Sequence, residues 1–304
     1  MSDGDRYLKL GEAYRKLVDD DFRFLSFMVK KIKQFEYVPI EYIIKKFEHK
    51  FSQKEILARI KKLTRLRLLA KHPSIKAYRI TFLGLDCISL RLLVAKNVVK
   101  AIGDIIGVGK ESEVYRGLAE NNDIVAIKFY KIGKQNFKHI AKYRGYYSDD
   151  VVHSGWLRRS IIAGKREKDV LEILNNYTIP GIPKLYGGVL HSVVIEYIDG
   201  ARLNEIEQVE NPINVFEQII EIIRYIYRNA GIVHGDLSEY NIMLSYKDDK
   251  ERVYIIDWPQ YASINSPLAI SMLRRDIENI AKFFRRRYML EVDVQEVFKY
   301  ITEQ

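Results

Sequence analysis

The run Val125-Ala126-Ile127-Lys128 carries a lysine into a β-branched, apolar strand. Such a strand is suited to burial, and a lysine taken into it costs free energy unless an anion meets its ammonium group. The fold must therefore bring negative charge to Lys128. Upstream, residues 105–117 read Ile-Ile-Gly-Val-Gly-Lys-Glu-Ser-Glu-Val-Tyr-Arg-Gly, a β-rich stretch, a glycine turn and a second β-rich stretch. Gly107 and Gly109 lack side chains, so backbone N–H groups there can approach phosphate oxygens. Lys110 and Ser112 lie in the same turn, and the spacing is Gly-x-Gly-x-x-Ser-x-Val. Alone, this segment is equally an ordinary β-turn. The lysine 19 residues beyond Gly109 ties it to anion binding.

A second set of residues lies further on. His234-Gly235-Asp236-Leu237-Ser238-Glu239-Tyr240-Asn241 has the spacing His-x-Asp-x-x-x-x-Asn. Sixteen residues after Asn241, Tyr254-Ile255-Ile256-Asp257 reads as a buried strand ending in a carboxylate. Asp236 suits proton acceptance from a hydroxyl or the orientation of an attacking water. Asn241 and Asp257 supply hard oxygen atoms, which with phosphates and water suit magnesium, or manganese in its place. Four fragments in this order, at sensible separations, make ATP binding the leading reading.

Residues between the two sets fit the same scheme. Lys165 to Leu174 reads as a helix, and Glu167 is the better partner for Lys128, with Glu172 as the alternative. Val193 to Gly200 reads as a strand running into a loop, where the Glu196 carbonyl and the Ile198 N–H would meet adenine edges. Ile106, Val114, Ala126 and Met243 would sandwich the ring, a role compatible with plain core packing. The basic, tyrosine-rich stretch Lys131 to Asp150 is longer than a strand-to-helix connection needs, and Ser148 within it is a candidate phosphorylation site.

Charge separates the chain into two parts. Residues 1–95 hold 21 Lys and Arg against 11 Asp and Glu, a surplus of ten that equals the net charge of the whole chain. Residues 96–304 are balanced. Apolar spacing marks helices over Leu25 to Lys33 and Ile40 to Phe47. A third opens on the capping box Ser52-Gln53-Lys54-Glu55, with Ile56, Leu57, Ile60, Leu63 and Leu66 on one face. Leu68 to Lys71 and Ala77 to Thr81 then form a short hairpin, followed by a helix over Phe82 to Ala95. Three helices and a hairpin are the order of a winged helix. Its third helix carries Lys54, Arg59, Lys61, Lys62 and Arg65, which read as phosphate contacts to nucleic acid, and Lys71, His72 and Lys76 lie on the wing. A protein-docking winged helix remains the competing reading.

The pattern departs from ordinary protein kinases in three ways. Gly235 replaces the usual arginine, Asp257 is followed by Trp258-Pro259-Gln260, and no Ala-Pro-Glu follows. After Asp257 come two helices, Leu273 to Tyr288 and Val292 to Ile301, which leave no room for the usual substrate-docking region. Together with the basic winged helix and the Gly-Val-Gly-Lys-Glu-Ser-Glu-Val-Tyr loop, this resembles the RIO family of atypical serine/threonine kinases, in its type-two branch and an archaeal-length form. The resemblance implies an α+β chain: a winged helix over 1–95, then a truncated two-lobed kinase domain over 96–304, with the lobes dividing near residue 198. It implies ATP and magnesium as cofactors, autophosphorylation, and a weak ATPase cycle in which Asp257 takes the phosphoryl group. Lys128 then binds phosphate, the Ser112 hydroxyl lies near the phosphates, Asp236 is the catalytic carboxylate, and Asn241 and Asp257 hold the metal. The partner implied is the precursor of the small ribosomal subunit, its RNA and proteins, during maturation.

Two rivals remain. A small-molecule kinase of the aminoglycoside or choline type shares the His-Gly-Asp loop but requires a large helical C-terminal region. An inert nucleic-acid-binding regulator would have no physical need for Lys128, Asp236, Asn241 and Asp257 together. A single cysteine, Cys87, precludes a disulfide framework, and no apolar run reaches membrane-spanning length. A polar, acidic N-terminus argues against a secretory signal, so the cytoplasm is the expected compartment.

Overall fold

The computed structural model describes residues 10–133, 155–247 and 250–303. Most of the Lys131 to Asp150 stretch, Ser148 included, lies outside the described residues.

The N-terminal part builds a winged helix. Helices α1 (Leu10–Arg15) and α2 (Asp19–Lys31) lead to strand β1 (Val38–Pro39), helices α3 (Ile40–Phe47) and α4 (Gln53–Arg65) follow it, strands β2 (Leu69–Lys71) and β3 (Ala77–Ile80) complete a sheet in the spatial order β1-β3-β2, and α5 (Phe82–Ala95) closes the domain. The second helix begins at Asp19, six residues before the periodicity places it, because three aspartates supply its first turn and suit the positive end of the helix dipole. The capping box forms as expected: Ser52 Oγ accepts from the Glu55 N–H while the Glu55 carboxylate accepts from the Ser52 N–H. Such a cap is worth about 1 kcal/mol. Ile56, Ile60 and Leu63 enter a core with Leu25, Met28, Ile43 and Leu85, and Phe24 stacks on Phe47 at 3.8 Å between ring centres. Leu57 does not join them: it is 42% exposed, because the next residue along a helix turns about 100° away from the face of Ile56.

Beyond α5, strands β4 (Val99–Val108), β5 (Ser112–Ala119), β6 (Ile124–Tyr130), β7 (Leu185–Val189) and β8 (Ser192–Glu196) form a sheet in the order β4-β5-β6-β8-β7, with α6 (Trp156–Asn176) between β6 and β7 in sequence. Strand β9 (Gly200–Arg202) lies beside β11 (Ile242–Lys247), which pairs with β12 (Lys250–Ile255). Helix α7 (Pro212–Tyr225) runs into a π-helical turn over Ile226–Ala230. Gly231 ends it in the left-handed conformation, and the short pair β10 (Ile232–Val233) and β13 (Ala262–Ser263) follows. Helices α8 (Ala269–Tyr288) and α9 (Val294–Thr302) complete the described chain.

The chain divides into two compact units. The first comprises residues up to Asn122, Ile127–Gly164 and Gly188–Ser192; the second comprises Asp123–Ala126, Lys165–Gly187 and Val193 onward. The winged helix and the glycine-bearing strands β4 and β5 cluster together in the first unit.

Candidate active site

In the first unit, the turn between β4 and β5 is closed by a bond from the Gly109 N–H to the Ser112 carbonyl, 2.9 Å. Gly107 sits opposite Val114 across the hairpin. Register shifts along β4 interrupt the ladder near Gly107, and such bulges re-aim a strand. Ile106 is 44% exposed, so it is not a core residue of this hairpin, and Ile105 and Val108 beside it are exposed as well. Lys110 is exposed. Lys128 in β6 is buried as the strand composition requires, 8% exposed, with its ammonium group 4.6 Å from the Tyr130 ring centre.

The second unit holds Ala126, Glu167, Glu196, Ile198, Asp236, Asn241, Met243 and Asp257. The Asn241 Nδ2 donates to the Asp236 carbonyl at 2.7 Å, which commits the amide nitrogen and leaves Oδ1 as the other face of the side chain. The Ile256 N–H donates to the Asn241 carbonyl at 2.9 Å, and Ile242 faces Ile255 in the β11–β12 ladder. The loop that ends in Asn241 and the strand that leads to Asp257 are thus joined by backbone bonds. Asp257 itself has φ +69°, in the left-handed region that non-glycine residues occupy at a cost of about 1–3 kcal/mol. Such strain is concentrated where a side chain must be aimed for function.

His234 is a structural member of this loop. Its Nδ1 accepts from the Asp236 N–H at 3.3 Å, so Nε2 carries the proton and donates to the Ile256 carbonyl at 3.1 Å. Its ring packs on Trp258, which is buried and donates from Nε1 to the Ile255 carbonyl.

Helix α6 anchors the residues after Asp257. Glu167 is 1% exposed and accepts from the Trp258 N–H at 3.2 Å. Arg166 donates from Nε to the Pro259 carbonyl at 2.7 Å and from Nη2 to the Tyr261 carbonyl at 2.6 Å. Of the two glutamates weighed as partners for Lys128, only Glu167 is buried. Glu172 is exposed in a surface ion pair with Lys168, one turn away.

Helix α8 supplies residues that the sequence reading missed. Buried Asp276 accepts from the Gly235 N–H at 2.7 Å and from the Leu237 N–H at 2.9 Å. Arg275 donates to the Gly235 carbonyl, and Asn279 donates to the Leu237 carbonyl at 3.1 Å. The peptide groups on both sides of Asp236 are therefore fixed from one helix. Burial pushes the Asp276 carboxyl up to about 7, against the two backbone hydrogen bonds that favour its charged form. The pattern Arg-Asp-x-x-Asn at 275–279 is the only signal the sequence offered, and its partners are some 40 residues away. Gly235 has φ +82°, and a Cβ there would meet the Met272 methyl and stand 2.8 Å from the Gln260 carbonyl oxygen. An arginine does not fit at this position.

In the Val193 to Gly200 segment, Glu196 is bonded to Lys184, its N–H to the Lys184 carbonyl at 2.8 Å and its carboxylate to the Lys184 N–H at 3.2 Å. Ile198 and Ala126 are buried, and Met243 is half-buried opposite Arg202 and Tyr254.

The five basic candidates on α4 differ in their surroundings. Arg59 donates to Asp21 at 3.0 Å and to Asp20 at 3.2 Å, and Lys62 pairs with buried Asp21 at 2.5 Å. Both clamp α4 to α2. Lys54, Lys61 and Arg65 are exposed. His72, read as part of a basic wing, accepts the Ser74 N–H on Nδ1 and shapes the turn between β2 and β3.

No group of three or more His, Cys, Asp and Glu side chains forms a metal cage among the described residues. Asn241 and Asp257 instead offer one amide oxygen and one carboxylate. Magnesium is commonly held by one or two carboxylates and completed by substrate phosphates and water, so these donors fit it.

A family profile described as "RIO domain" matches residues 113–297, and one described as "Rio2, N-terminal" matches residues 14–96. The RIO-type serine/threonine-protein kinase Rio2 of Methanocaldococcus jannaschii is 32% identical over 282 residues, covering 90% of this chain and 100% of its own. The serine/threonine-protein kinase RIO2 of Saccharomyces cerevisiae is 28% identical over 290 residues, covering 93% of this chain and 68% of its own. The crystal structure of a Rio2 kinase–ADP/Mg2+–phosphoaspartate complex from Chaetomium thermophilum matches with a TM-score of 0.79 at 25% identity, over 96% of this chain and 89% of that one. A winged helix ahead of a catalytic domain that keeps the lysine, the His-Gly-Asp loop and the metal-suited Asn–Asp pair places this chain in the RIO family of atypical serine/threonine kinases, on its Rio2 branch.

Proposed function

We propose that this chain transfers the γ-phosphoryl group of ATP, with magnesium, first within itself and then in a slow ATPase cycle, and that it does so on precursors of the small ribosomal subunit. The observation that carries the chemistry is the joined pair Asn241 and Asp257, locked by the Ile256–Asn241 backbone bond and held beside the Asp236 loop. The relative from Chaetomium thermophilum, described as an ADP/Mg2+–phosphoaspartate complex, supports an aspartate as phosphoryl acceptor.

Phosphoryl transfer asks mainly for positioning and charge neutralisation. The glycine turn presents backbone N–H groups to the phosphates, and Lys128 pairs with them. Glu167 is the counter-charge for Lys128. Bound magnesium would neutralise charge on the β- and γ-phosphate oxygens. Asp236 accepts the proton of a serine or threonine hydroxyl as its oxygen bonds to the γ-phosphorus and the bond to the ADP oxygen breaks. With no hydroxyl in place, the Asp257 carboxylate becomes the acceptor, and water then hydrolyses the acyl phosphate. Ile106, Val114, Ala126 and Met243 pack the adenine, and Glu196 and Ile198 offer backbone groups to its edge.

The winged helix meets RNA through Lys54, Lys61 and Arg65. A sole, buried thiol at Cys87 suits a reducing cytoplasm, and among the described residues no helix is long and apolar enough to cross a membrane. Calorimetric titration with ATP–magnesium tests the nucleotide reading. Wild-type chain should bind, and Lys128→Ala should bind markedly more weakly. Equal binding by the variant would remove the lysine from its role. Co-sedimentation with precursor small subunits that depends on ATP tests the partner; its absence with and without nucleotide would refute it.

A further inference from the structure

A buried ionic cluster in the first unit joins the last helix of the winged helix to the glycine hairpin, and phosphoryl transfer as described above makes no use of it. At its centre is Lys131, three residues beyond Lys128. Its ammonium group meets Asp86 of α5 at 2.9 Å and Glu113 of β5 at 2.5 Å. All three residues are buried. The far oxygen of Asp86 accepts from His191 Nε2 at 2.8 Å, and His191 Nδ1 lies 3.0 Å from the Ser89 hydroxyl on the same helix. The Tyr115 hydroxyl donates to Glu113. Lys131 also uses its backbone: its N–H donates to the Glu111 carbonyl at 2.6 Å. Glu111 belongs to the turn that Gly109 and Ser112 close, and Glu113 is the residue after Ser112. Lys131 therefore grips the turn at two points on either side of Ser112.

The surroundings make this arrangement rigid. The Tyr130 N–H donates to the His191 carbonyl at 2.9 Å. Gly164 of α6 packs so closely on the His191 backbone that a Cβ would stand 2.7 Å from its carbonyl carbon. Burial opposes the charge on Lys131, but Asp86 and Glu113 outweigh it and hold its pKa above the ordinary lysine value. A cluster of this kind is a weak source of stability, since desolvation offsets most of the attraction. Its distinguishing property is geometric: removing one member leaves a buried charge without its partner, and the others must move.

We propose that Lys131 is a positioning residue for the phosphate-binding turn, and that through Asp86 the winged helix sets how tightly that turn holds the nucleotide phosphates. The proposal rests on the nucleotide reading of the turn given under Proposed function. It makes the winged helix a part of the nucleotide site's scaffold, so that a partner bound to α5 and its neighbours alters phosphate affinity.

The test uses the full chain and two probes, ATP–magnesium and adenosine, titrated against wild type, Lys131→Met, Lys131→Arg, Glu113→Gln and Asp86→Asn. Circular dichroism establishes that each variant is folded. Lys131→Met should weaken ATP binding about tenfold, as coupling within one charged network warrants, and leave adenosine binding unchanged. Lys131→Arg, which can still bridge two carboxylates, should restore most of the ATP affinity. Asp86→Asn keeps its shape and one acceptor. It should also weaken ATP binding without touching adenosine, and it carries the test if Lys131→Met does not fold. A folded Lys131→Met with wild-type ATP affinity overturns the proposal, and a parallel loss of ATP and adenosine binding does so too, since it would mark general damage. Wild-type ATP affinity in Asp86→Asn overturns the role of the winged helix. Failure of the wild-type chain to bind ATP–magnesium at all removes the nucleotide reading itself, a result distinct from each of these.

Discussion

Gly235 shows how one position can be fixed by several causes at once. Its φ of +82° favours glycine, and the space its Cβ would need is taken by Met272 and the Gln260 backbone. Gly235→Ala should therefore lower stability by about 2 kcal/mol, measurable by denaturant unfolding. The neighbouring Asp236 calls for a different outcome. Asp236→Ala should leave the fold and ATP binding largely intact while reducing phosphoryl transfer by about 10²–10⁴-fold, as removal of a positioned base does. Radiolabel transfer from ATP, beside a binding titration, checks both halves. The burial of Lys128 and the nearness of the Asn241 and Asp257 segments were legible because they follow from local pattern and spacing. Asp276, Arg275 and Arg166 were not, since each acts on backbone atoms about 40 to 95 residues away and hydrogen bonds to backbone leave no trace in the partner's residue type.

At the scale of elements, helix α8 acts as the support of the catalytic loop. Asp276 is ordinary in the unfolded chain but is pushed up to about 7 by burial in the folded one. The folded chain thus binds this proton more tightly. The stability it contributes is complete below about pH 4 and is lost as pH rises through 7, a change on the order of 4 kcal/mol. Thermal melts of wild type and Asp276→Asn across this window should diverge, the variant lacking that part of the decline; parallel curves would contradict the assignment. Under the proposed function, helix α4 gives Arg59 and Lys62 to the ion pairs with α2 and leaves Lys54, Lys61 and Arg65 for RNA. Reversing Lys61 and Arg65 should weaken RNA binding and flatten its dependence on salt, each lost phosphate contact changing the slope by about 0.7–0.9, with little effect on melting temperature. Replacing Arg59 and Lys62 together, which both pair with buried Asp21, should instead lower stability by about 3 kcal/mol. Filter binding at several salt concentrations, beside melts, separates the two. The bounds of α3 and α5 and the start of α4 were readable because caps and apolar spacing are local. The start of α2 was not, because its first turn is acidic rather than apolar.

At the scale of the whole molecule, sequence charge marked the basic third as a separate body, and the family profiles match on either side of residue 96. The fold nevertheless clusters that body with the glycine hairpin, through contacts such as Asp86 to Lys131 that span 45 residues and join opposite charges across two elements. A charge count cannot reveal such a pairing, because the paired residues look the same as solvated ones.

Under the proposed function, Asp236, Asn241 and Asp257 form a phosphoryl-transfer site in which Asp257 is itself an acceptor. The most direct measurement is incubation of the full chain with ATP labelled on the γ-phosphate, followed by treatment with hydroxylamine, which cleaves acyl phosphates and spares phosphoserine. A hydroxylamine-labile fraction should form that needs magnesium and disappears in Asp257→Asn. Label that is wholly hydroxylamine-stable, or a labile fraction that persists in Asp257→Asn, would contradict it.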